Sequence, residues 1–274
     1  MTFMRKKIFS EKGKVLKMGE NELFNVLKEH GQEHIFEAYK KLDNAGKEKL
    51  AAQIERIDWS IVSIAGQKDH TQKRGKLEPL SALEVDVIQA NKEKYEKQGL
   101  EAIKAGKVGA VLLAGGQGTR LGSDGPKGKY NIGITKDMFI FERLIRNLLD
   151  VTDKAGCFVP LYVMTSDKNN DETIAFFEEK AYFGYPKDFV KFFKQEMAPS
   201  VDFDGKLYME SENSLSLSPN GNGGWFYSMS VTGVLKDVKA RGVEWLNIFA
   251  VDNVLQRIAD PVFVGATLDS GCVS

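Results

Sequence analysis

Four glycines, Gly115, Gly116, Gly118 and Gly122, crowd one turn of the segment Leu113-Ala114-Gly115-Gly116-Gln117-Gly118-Thr119-Arg120-Leu121-Gly122. A residue without Cβ lets backbone N–H groups approach an anion closely and opens positive φ angles to the chain. Two cations bracket this turn: Arg120, and Lys127 with the stiff Pro126 before it. The chemistry these types and spacings suit is the gripping of phosphate oxygens. The segment is not a Walker A loop, which ends in Gly-Lys-Ser/Thr, because Pro126 precedes the lysine. It is not GxGxxG either, since Gly116, Gly118 and Gly122 are spaced differently. A strand-to-helix turn rich in glycine for geometry alone would not need Arg120 and Lys127 beside it.

These residues need elements to hold them. Val108 to Ala114 is an apolar run without alternation, flanked by glycine, which predicts a short strand buried on both faces. Phe158 to Met164 predicts a second such strand, with Pro160 near its start, and Leu246 to Val251 a third, ending in Asp252. Between them the spacing predicts helices over Phe139–Leu149, Asp171–Lys180 and Gly224–Arg241, the last closed by Gly242. Phe203-Asp204-Gly205-Lys206 predicts a hairpin turn. Alternating strands and helices imply a mostly parallel sheet covered on both faces, with ligands at the carboxyl ends of the strands. The glycine-rich loop and Asp252 both fall at such ends. A carboxylate at the end of a buried strand is costly without a cation or donors, which favours a metal role for Asp252 over a helix cap.

Before Val108 the chain has a different character. Leu23, Phe24, Val26 and Leu27, then Ile35, Phe36 and Tyr39, then Leu50, Ile54 and Ile57 form narrow apolar stripes at helical spacing. Asp43-Asn44-Ala45-Gly46 breaks two of these helices, Gln67 to Pro79 reads as a polar loop, and a further helix is expected from Ser81 to Ala105. The organisation expected is therefore an N-terminal helical region over 1–107 and an α/β nucleotide-binding domain over 108–274.

Composition narrows the classes of partner. Lys+Arg and Asp+Glu both number 38, so no net field draws the chain to nucleic acid or an anionic membrane. Arg5, Lys6 and Lys7 are followed by no apolar segment, so a cytosolic protein is the default. Cys157 and Cys272 are far apart and form neither a metal pair nor a disulfide framework. His30 and His34 have i,i+4 spacing, but Gly31, Gln32 and Glu33 between them make no HExxH pattern, and a solvent-facing pair is the expectation for them; His70 stands alone.

Several separated segments resemble, in one order, the eukaryotic-type UDP-N-acetylglucosamine pyrophosphorylases within the wider UDP-sugar pyrophosphorylases. They are Leu113 to Gly122, Pro126-Lys127-Gly128, Tyr182-Phe183-Gly184, Phe192-Phe193-Lys194-Gln195, Asn220-Gly221-Asn222-Gly223-Gly224, Val251-Asp252-Asn253 and Ala259-Asp260-Pro261. The resemblance covers about Val108 to Gly271 well and the N-terminal helices loosely. It implies a Rossmann-like nucleotidyltransferase fold of the GT-A type, with a mixed, mostly parallel sheet flanked by helices. It implies UTP and a sugar 1-phosphate as substrates, a UDP-sugar and pyrophosphate as products, and Mg²⁺ as cofactor. Leu113, Ala114, Gly115 and Gly116 would line the uridine and phosphate site, and Arg120 and Lys127 would hold the triphosphate. Gln195 and the backbone near Gly221 would meet the uracil edge, Asn222 the sugar, and Asp252 the metal and the nucleotide. Ala114 and Gln117 are what favours N-acetylglucosamine 1-phosphate as acceptor, because the UDP-glucose enzymes carry asparagine at the first position and plant-type enzymes usually lack the glutamine.

The reaction so implied is in-line attack of a sugar 1-phosphate oxygen on the α-phosphorus of UTP. The attacking oxygen is already ionised, so positioning and charge neutralisation, rather than a general base, would carry it. Members of the family are considerably longer, and this chain stops at Gly271-Cys272-Val273-Ser274, inside the expected catalytic domain. Weak or absent turnover by these residues alone, with nucleotide binding retained, is therefore the expectation. The alternatives are a uridylyltransferase for glucose 1-phosphate or for several sugars, a non-catalytic nucleotide-binding relative and, on weaker grounds, a dinucleotide-binding oxidoreductase. The sequence leaves the oligomeric state open.

Overall fold

The computed structural model describes residues 18–65, 76, 78–79 and 82–272. Arg5, Lys6, Lys7, His70 and most of the expected Gln67–Pro79 loop lie outside the described residues. The elements run α1 (Glu20–Glu29), α2 (Glu33–Tyr39), α3 (Asn44–Glu55), α4 (Trp59–Ala65), α5 (Val85–Ala90), α6 (Lys92–Lys104), β1 (Val108–Leu113), α7 (Ile140–Ala155), β2 (Leu161–Thr165), α8 (Asn170–Glu179) and β3 (Val190–Lys194). Four short strands follow, β4 (Met197–Pro199), β5 (Met209–Ser211), β6 (Ser214–Leu215) and β7 (Leu217–Pro219). The chain continues through α9 (Trp225–Val231), α10 (Val234–Ala240), β8 (Trp245–Ala250) and α11 (Pro261–Ser270). Two compact units result: Met1–Leu77 with Met197–Ser218, and Glu78–Glu196 with Pro219–Ser274. The helices grouped by sequence into one region over 1–107 are thus divided. Helix α6 goes with the second unit because Ala102 and Ile103 bury into its core.

In the first unit the apolar stripes meet as their spacing dictates. Leu23 and Leu27 of α1, Ile35 and Tyr39 of α2, and Leu50 and Ile54 of α3 form one core with Leu207 and Leu215. Asp43 caps α3, its carboxylate accepting the Gly46 N–H at 2.8 Å. The turn at Phe203–Lys206 forms as expected, with Gly205 at φ 78° and the Asp202 carboxylate accepting the Asp204 and Lys206 amides. Buried Gln32 ties it down, donating to the Gly205 carbonyl and accepting the Leu207 N–H. The histidine expectation is corrected. His30 ends α1 and His34 lies in α2, separated by Gly31 at φ 66°, so they share no helical face. Only His34 faces solvent, bonding the Leu207 carbonyl at the surface, while His30 is half-buried and stacks on Trp59 with ring centroids 4.2 Å apart.

The second unit is a sheet in the order β3-β2-β1-β8, every neighbouring pair parallel. Strand β1 is buried along its whole length. Its alternate residues serve two cores: Val108, Ala110 and Leu112 face α6, α7, α8 and α11, while Val111 and Leu113 face Met229 of α9 and Val238 of α10. This is the two-sided coverage its unbroken apolar run requires. A clamp ties the second face to the sheet: Asp237 of α10 accepts hydrogen bonds from the Tyr162 hydroxyl, Lys191 and Arg241. Burial, reinforced by that carboxylate, pushes the Tyr162 hydroxyl well above the ordinary tyrosine range and keeps it a donor.

Element ends differ from the sequence reading for local reasons. The helix expected over Ser81–Ala105 breaks at Asn91, whose side chain donates back to the Val87 carbonyl. Helix α7 runs on to Ala155 because Val151 and Ala155 extend its apolar stripe, and Gly156 at φ 68° closes it. Strand β2 begins only after Pro160. The helix expected over Gly224–Arg241 is two, parted at Gly233 with φ 79°. Strand β8, expected to be fully buried, is half-exposed, with Ile248 at 37%. It ends the strand order and pairs only with β1 among the described residues. No described helix is long and apolar enough to cross a membrane.

Helices α6 and α11 cross in near contact at two glycines. A Cβ on Gly265 would come within 1.8 Å of the Tyr95 carbonyl oxygen, and one on Gly99 within 1.9 Å of the Pro261 oxygen. Backbone on both sides cannot yield as a side chain would. Gly265→Val is expected to lower unfolding free energy by about 1–3 kcal/mol, read as a lower urea midpoint; an unchanged midpoint would show that the crossing does not constrain the core.

Candidate functional site

The carboxyl ends of the four parallel strands carry the sequence-predicted residues. Ala114, the residue after β1, still donates its N–H to the Met164 carbonyl of β2 at 2.8 Å. Beyond it, the amides of Gly115, Gly116 and Gln117 donate to no acceptor among the described residues. The loop then closes on itself. Gln117 bridges Pro126, the Gly118 N–H donates to the Gly125 carbonyl, and the Lys127 N–H donates to the Gly116 carbonyl at 3.3 Å. The Gln117 side-chain amide, with its nitrogen turned inward, donates to the Asp124 and Gly125 carbonyls. Three glycines have separate physical reasons. Gly128 lies under the Phe141 ring, where a Cβ would come within 2.3 Å of ring carbons; Gly115 lies against Gln195; Gly116 faces open space. Leu113 and Ala114 bury their side chains in the cores on opposite faces of the sheet, so only their backbone can line a ligand.

Lys127 forms an ion pair with Asp252, which joins the loop after β1 to the turn after β8. The buried-carboxylate expectation for Asp252 is corrected here: its side chain is 59% exposed because β8 ends at the surface, and Lys127 supplies its cation. Among the described residues no group of three His, Cys, Asp or Glu side chains gathers as a metal cluster. Arg120 sits in the single helical turn Thr119–Leu121 of the same loop, exposed, and bonded to neither Lys127 nor Asp252.

Gln195 follows β3 and is 6% exposed, yet its side-chain amide meets no hydrogen-bond partner among the described residues. A Cβ on Gly115 would come within 2.4 Å of its Nε2, so the amide lies directly against the glycine-rich loop. Gly221 and Asn222 are brought to the same strand end. The Asn220 N–H donates to the Glu196 carbonyl at 3.1 Å, and Gly221 takes φ 75° and ψ −177°, a conformation open to glycine. Asn222 stands exposed at the start of the turn Asn222–Gly224.

Two residues at the site escape a reading of the sequence. Ser228 of α9 is fully buried; its Oγ accepts the Glu196 N–H at 2.9 Å and donates to the Gly224 carbonyl at 2.9 Å, fastening the Gln195 strand end to the Asn222 loop. Asn169, also fully buried, precedes α8. Its Oδ1 accepts the Ser166 N–H at 2.8 Å, and its Nδ2 donates to the carbonyls of Ala114 at 3.0 Å and Gly116 at 3.2 Å. A serine in a helix and an asparagine before one are ordinary as sequence, and no motif spacing singles them out.

Together these groups offer free backbone donors, a lysine beside an exposed carboxylate, the Gln195 amide without a protein partner among the described residues and an exposed asparagine, all on one edge of one sheet. That set suits an anion joined to a flat polar group. The model of the family described as UTP–glucose-1-phosphate uridylyltransferase matches residues 55–273. The Arabidopsis thaliana UDP-N-acetylglucosamine diphosphorylase 2 is 36% identical over 270 residues, covering 92% of this chain and 54% of that protein. Diphosphorylase 1 of the same plant is 37% identical over 269 residues, covering 92% of this chain and 53% of its own length. The crystal structure of the Trypanosoma brucei uridine diphosphate N-acetylglucosamine pyrophosphorylase in complex with inhibitor superposes with a TM-score of 0.72 at 27% identity, covering 94% of this chain and 56% of that one. The chain thus spans about half the length of the curated relatives it matches. With the family model matching most of its residues, and the fold and strand-end loops in place, the chain belongs to the UTP–glucose-1-phosphate uridylyltransferase family.

Proposed function

We propose that the protein is a uridylyltransferase that joins UTP to N-acetylglucosamine 1-phosphate, releasing pyrophosphate. The observation that carries this reading is the run of unbonded amides at Gly115, Gly116 and Gln117 beside both the unpaired Gln195 amide and the Lys127–Asp252 pair. Gln195 has one carbonyl and one NH₂ to offer, the complement of the uracil edge. The free amides and Lys127 receive the phosphates, and Arg120 grips the outer phosphate oxygens with its planar fork. Asn222, exposed on the loop fastened to the Gln195 strand end, meets the sugar hydroxyls. The names of the Arabidopsis relatives support N-acetylglucosamine as the sugar.

Bringing two anions together is the central difficulty of this reaction. The chain meets it with fixed dipoles and cations that need no rearrangement as charge develops. The sugar phosphate attacks the α-phosphorus in line, and pyrophosphate departs on the far side. Asp252 is the carboxylate that would hold Mg²⁺; a single acid suits a metal whose other oxygen ligands come from phosphates and water. Bound there, Mg²⁺ would supply positive charge against that of the phosphates. Before ligands arrive Lys127 and Asp252 neutralise each other, so each must exchange its partner for a phosphate or a metal. A glucose 1-phosphate specificity is the second reading, favoured by the description of the family model. Calorimetric titration with UDP-N-acetylglucosamine and UDP-glucose decides between them, and binding of neither sinks both.

In the full-length context Arg120→Ala is expected to reduce kcat by about 10²–10³-fold with the far-ultraviolet dichroism unchanged; a near-normal rate there would count against the assignment. Gln195→Ala should weaken UTP binding by about tenfold, the cost of one lost polar contact, and remove the preference for UTP over CTP; calorimetry with both nucleotides reads this. Because Gly116 faces open space, Gly116→Ala should leave the thermal midpoint unchanged while weakening UTP binding several-fold, about 1 kcal/mol of lost approach. A lower midpoint together with weaker UTP binding would place Gly116 in the fold rather than the site.

A further inference from the structure

We infer that Asn169 is the positioning residue of the phosphate loop, aiming the Gly115 and Gln117 amides at the phosphates of the nucleotide. This rests on the uridylyltransferase reading above. A trans peptide is planar, with its C=O and N–H pointing in opposite directions, and the described chain contains no cis bond. The Ala114 carbonyl shares a peptide plane with the Gly115 N–H, and the Gly116 carbonyl with the Gln117 N–H. Asn169 Nδ2 holds both carbonyls, at 3.0 and 3.2 Å. Each N–H on the far side of those planes is therefore turned away from Asn169, and neither finds a protein acceptor among the described residues. One side-chain amide fixes the direction of two donors.

Its own orientation is fixed in turn. Asn169 Oδ1 accepts the Ser166 N–H at 2.8 Å, which assigns oxygen and nitrogen to their positions and leaves both Nδ2 hydrogens for the loop. The side chain is fully buried, so water cannot substitute for it. The backbone contributes as well: the Thr173 N–H donates to the Asn169 carbonyl at 2.9 Å, anchoring the residue to the first turn of α8. The Gly116 carbonyl keeps a second donor in the Lys127 N–H, but the Ala114 carbonyl has no other described donor on its side of the loop. Removing Asn169 frees the Ala114–Gly115 plane to rotate, while the hydrogen bonds that seat Gln195, its own N–H to the Thr165 carbonyl and that of Glu196 to Ser228, do not pass through Asn169.

The experiment compares uridine, UTP and inorganic pyrophosphate binding by titration calorimetry in the wild-type chain, Asn169→Ala and Asn169→Ser, with thermal midpoints recorded. The expected result is a tenfold or greater loss of UTP and pyrophosphate affinity in Asn169→Ala, uridine affinity within twofold of wild type, and partial recovery in Asn169→Ser, which restores one donor. Parallel losses for uridine and the phosphates, or phosphate affinity unchanged in a folded variant, would overturn the positioning role. If Asn169→Ala does not fold, the same comparison on Asn169→Ser decides the matter. Wild-type protein that binds neither uridine nor UTP sinks the uridylyltransferase reading, and this inference with it; wild-type binding with the wrong split sinks only the role of Asn169.

Discussion

The site depends on how the chain leaves β1. Up to Ala114 each peptide group of this strand belongs to a parallel ladder with β2 on one side and β8 on the other. At Gly115 the ladder stops, and three consecutive amides are left without protein acceptors among the described residues. Unpaired backbone donors are costly where water cannot reach them, so the loop must sit at the surface and keep its shape by other means. It does so through the Gln117–Pro126 bridge, the Gly118–Gly125 hydrogen bond and the contact of Gly128 with Phe141. A closed loop with three amides left for acceptors from outside the described residues is the result.

The charges are arranged to match. Lys127 and Asp252 come from opposite ends of the unit's sequence and meet because β1 and β8 are neighbours in register, Leu113 opposite Ala250. With the Asp252 side chain 59% exposed, the pair is weakly held, as surface ion pairs are. In the proposed reaction it would open as a phosphate competes for the lysine. A buried pair would resist this, since removing one partner would strand the other. The exposed edge position of β8 therefore bears on chemistry as well as on packing.

The other half of the site is built on packing rather than charge. Gln195 and the Gly221–Asn222 turn are distant in sequence, yet Asn220 and Ser228 both bond to Glu196, the residue after Gln195. Helix α9 carries Ser228 and is seated on the sheet by Met229, and α10 is held by the Asp237 clamp to Tyr162 and Lys191. Loops that bear binding residues gain their precision from such rigid supports.

The residue order determined a good deal. The unbroken apolar run Val108–Leu113 suits a strand covered on both faces, as it is, and the crowding of glycine after it marks a tight turn open to close approach. The stripes Leu23–Leu27, Ile35–Tyr39 and Leu50–Ile54 fixed the helices of the first unit, because helical periodicity is local. Local rules also mislead where a single side chain overrides them, as Asn91 does in splitting the helix before β1. What the sequence could not contain is adjacency. That Lys127 would neutralise Asp252, that Gln195 would lie unpaired against Gly115, and that Asn169 would take both carbonyls of the loop follow from strand order and from which face each segment returns on. The exposure of Asp252 has the same origin: a strand's composition reports its apolar content, whereas its exposure is set by whether another strand lies beside it, and only the assembled sheet decides that.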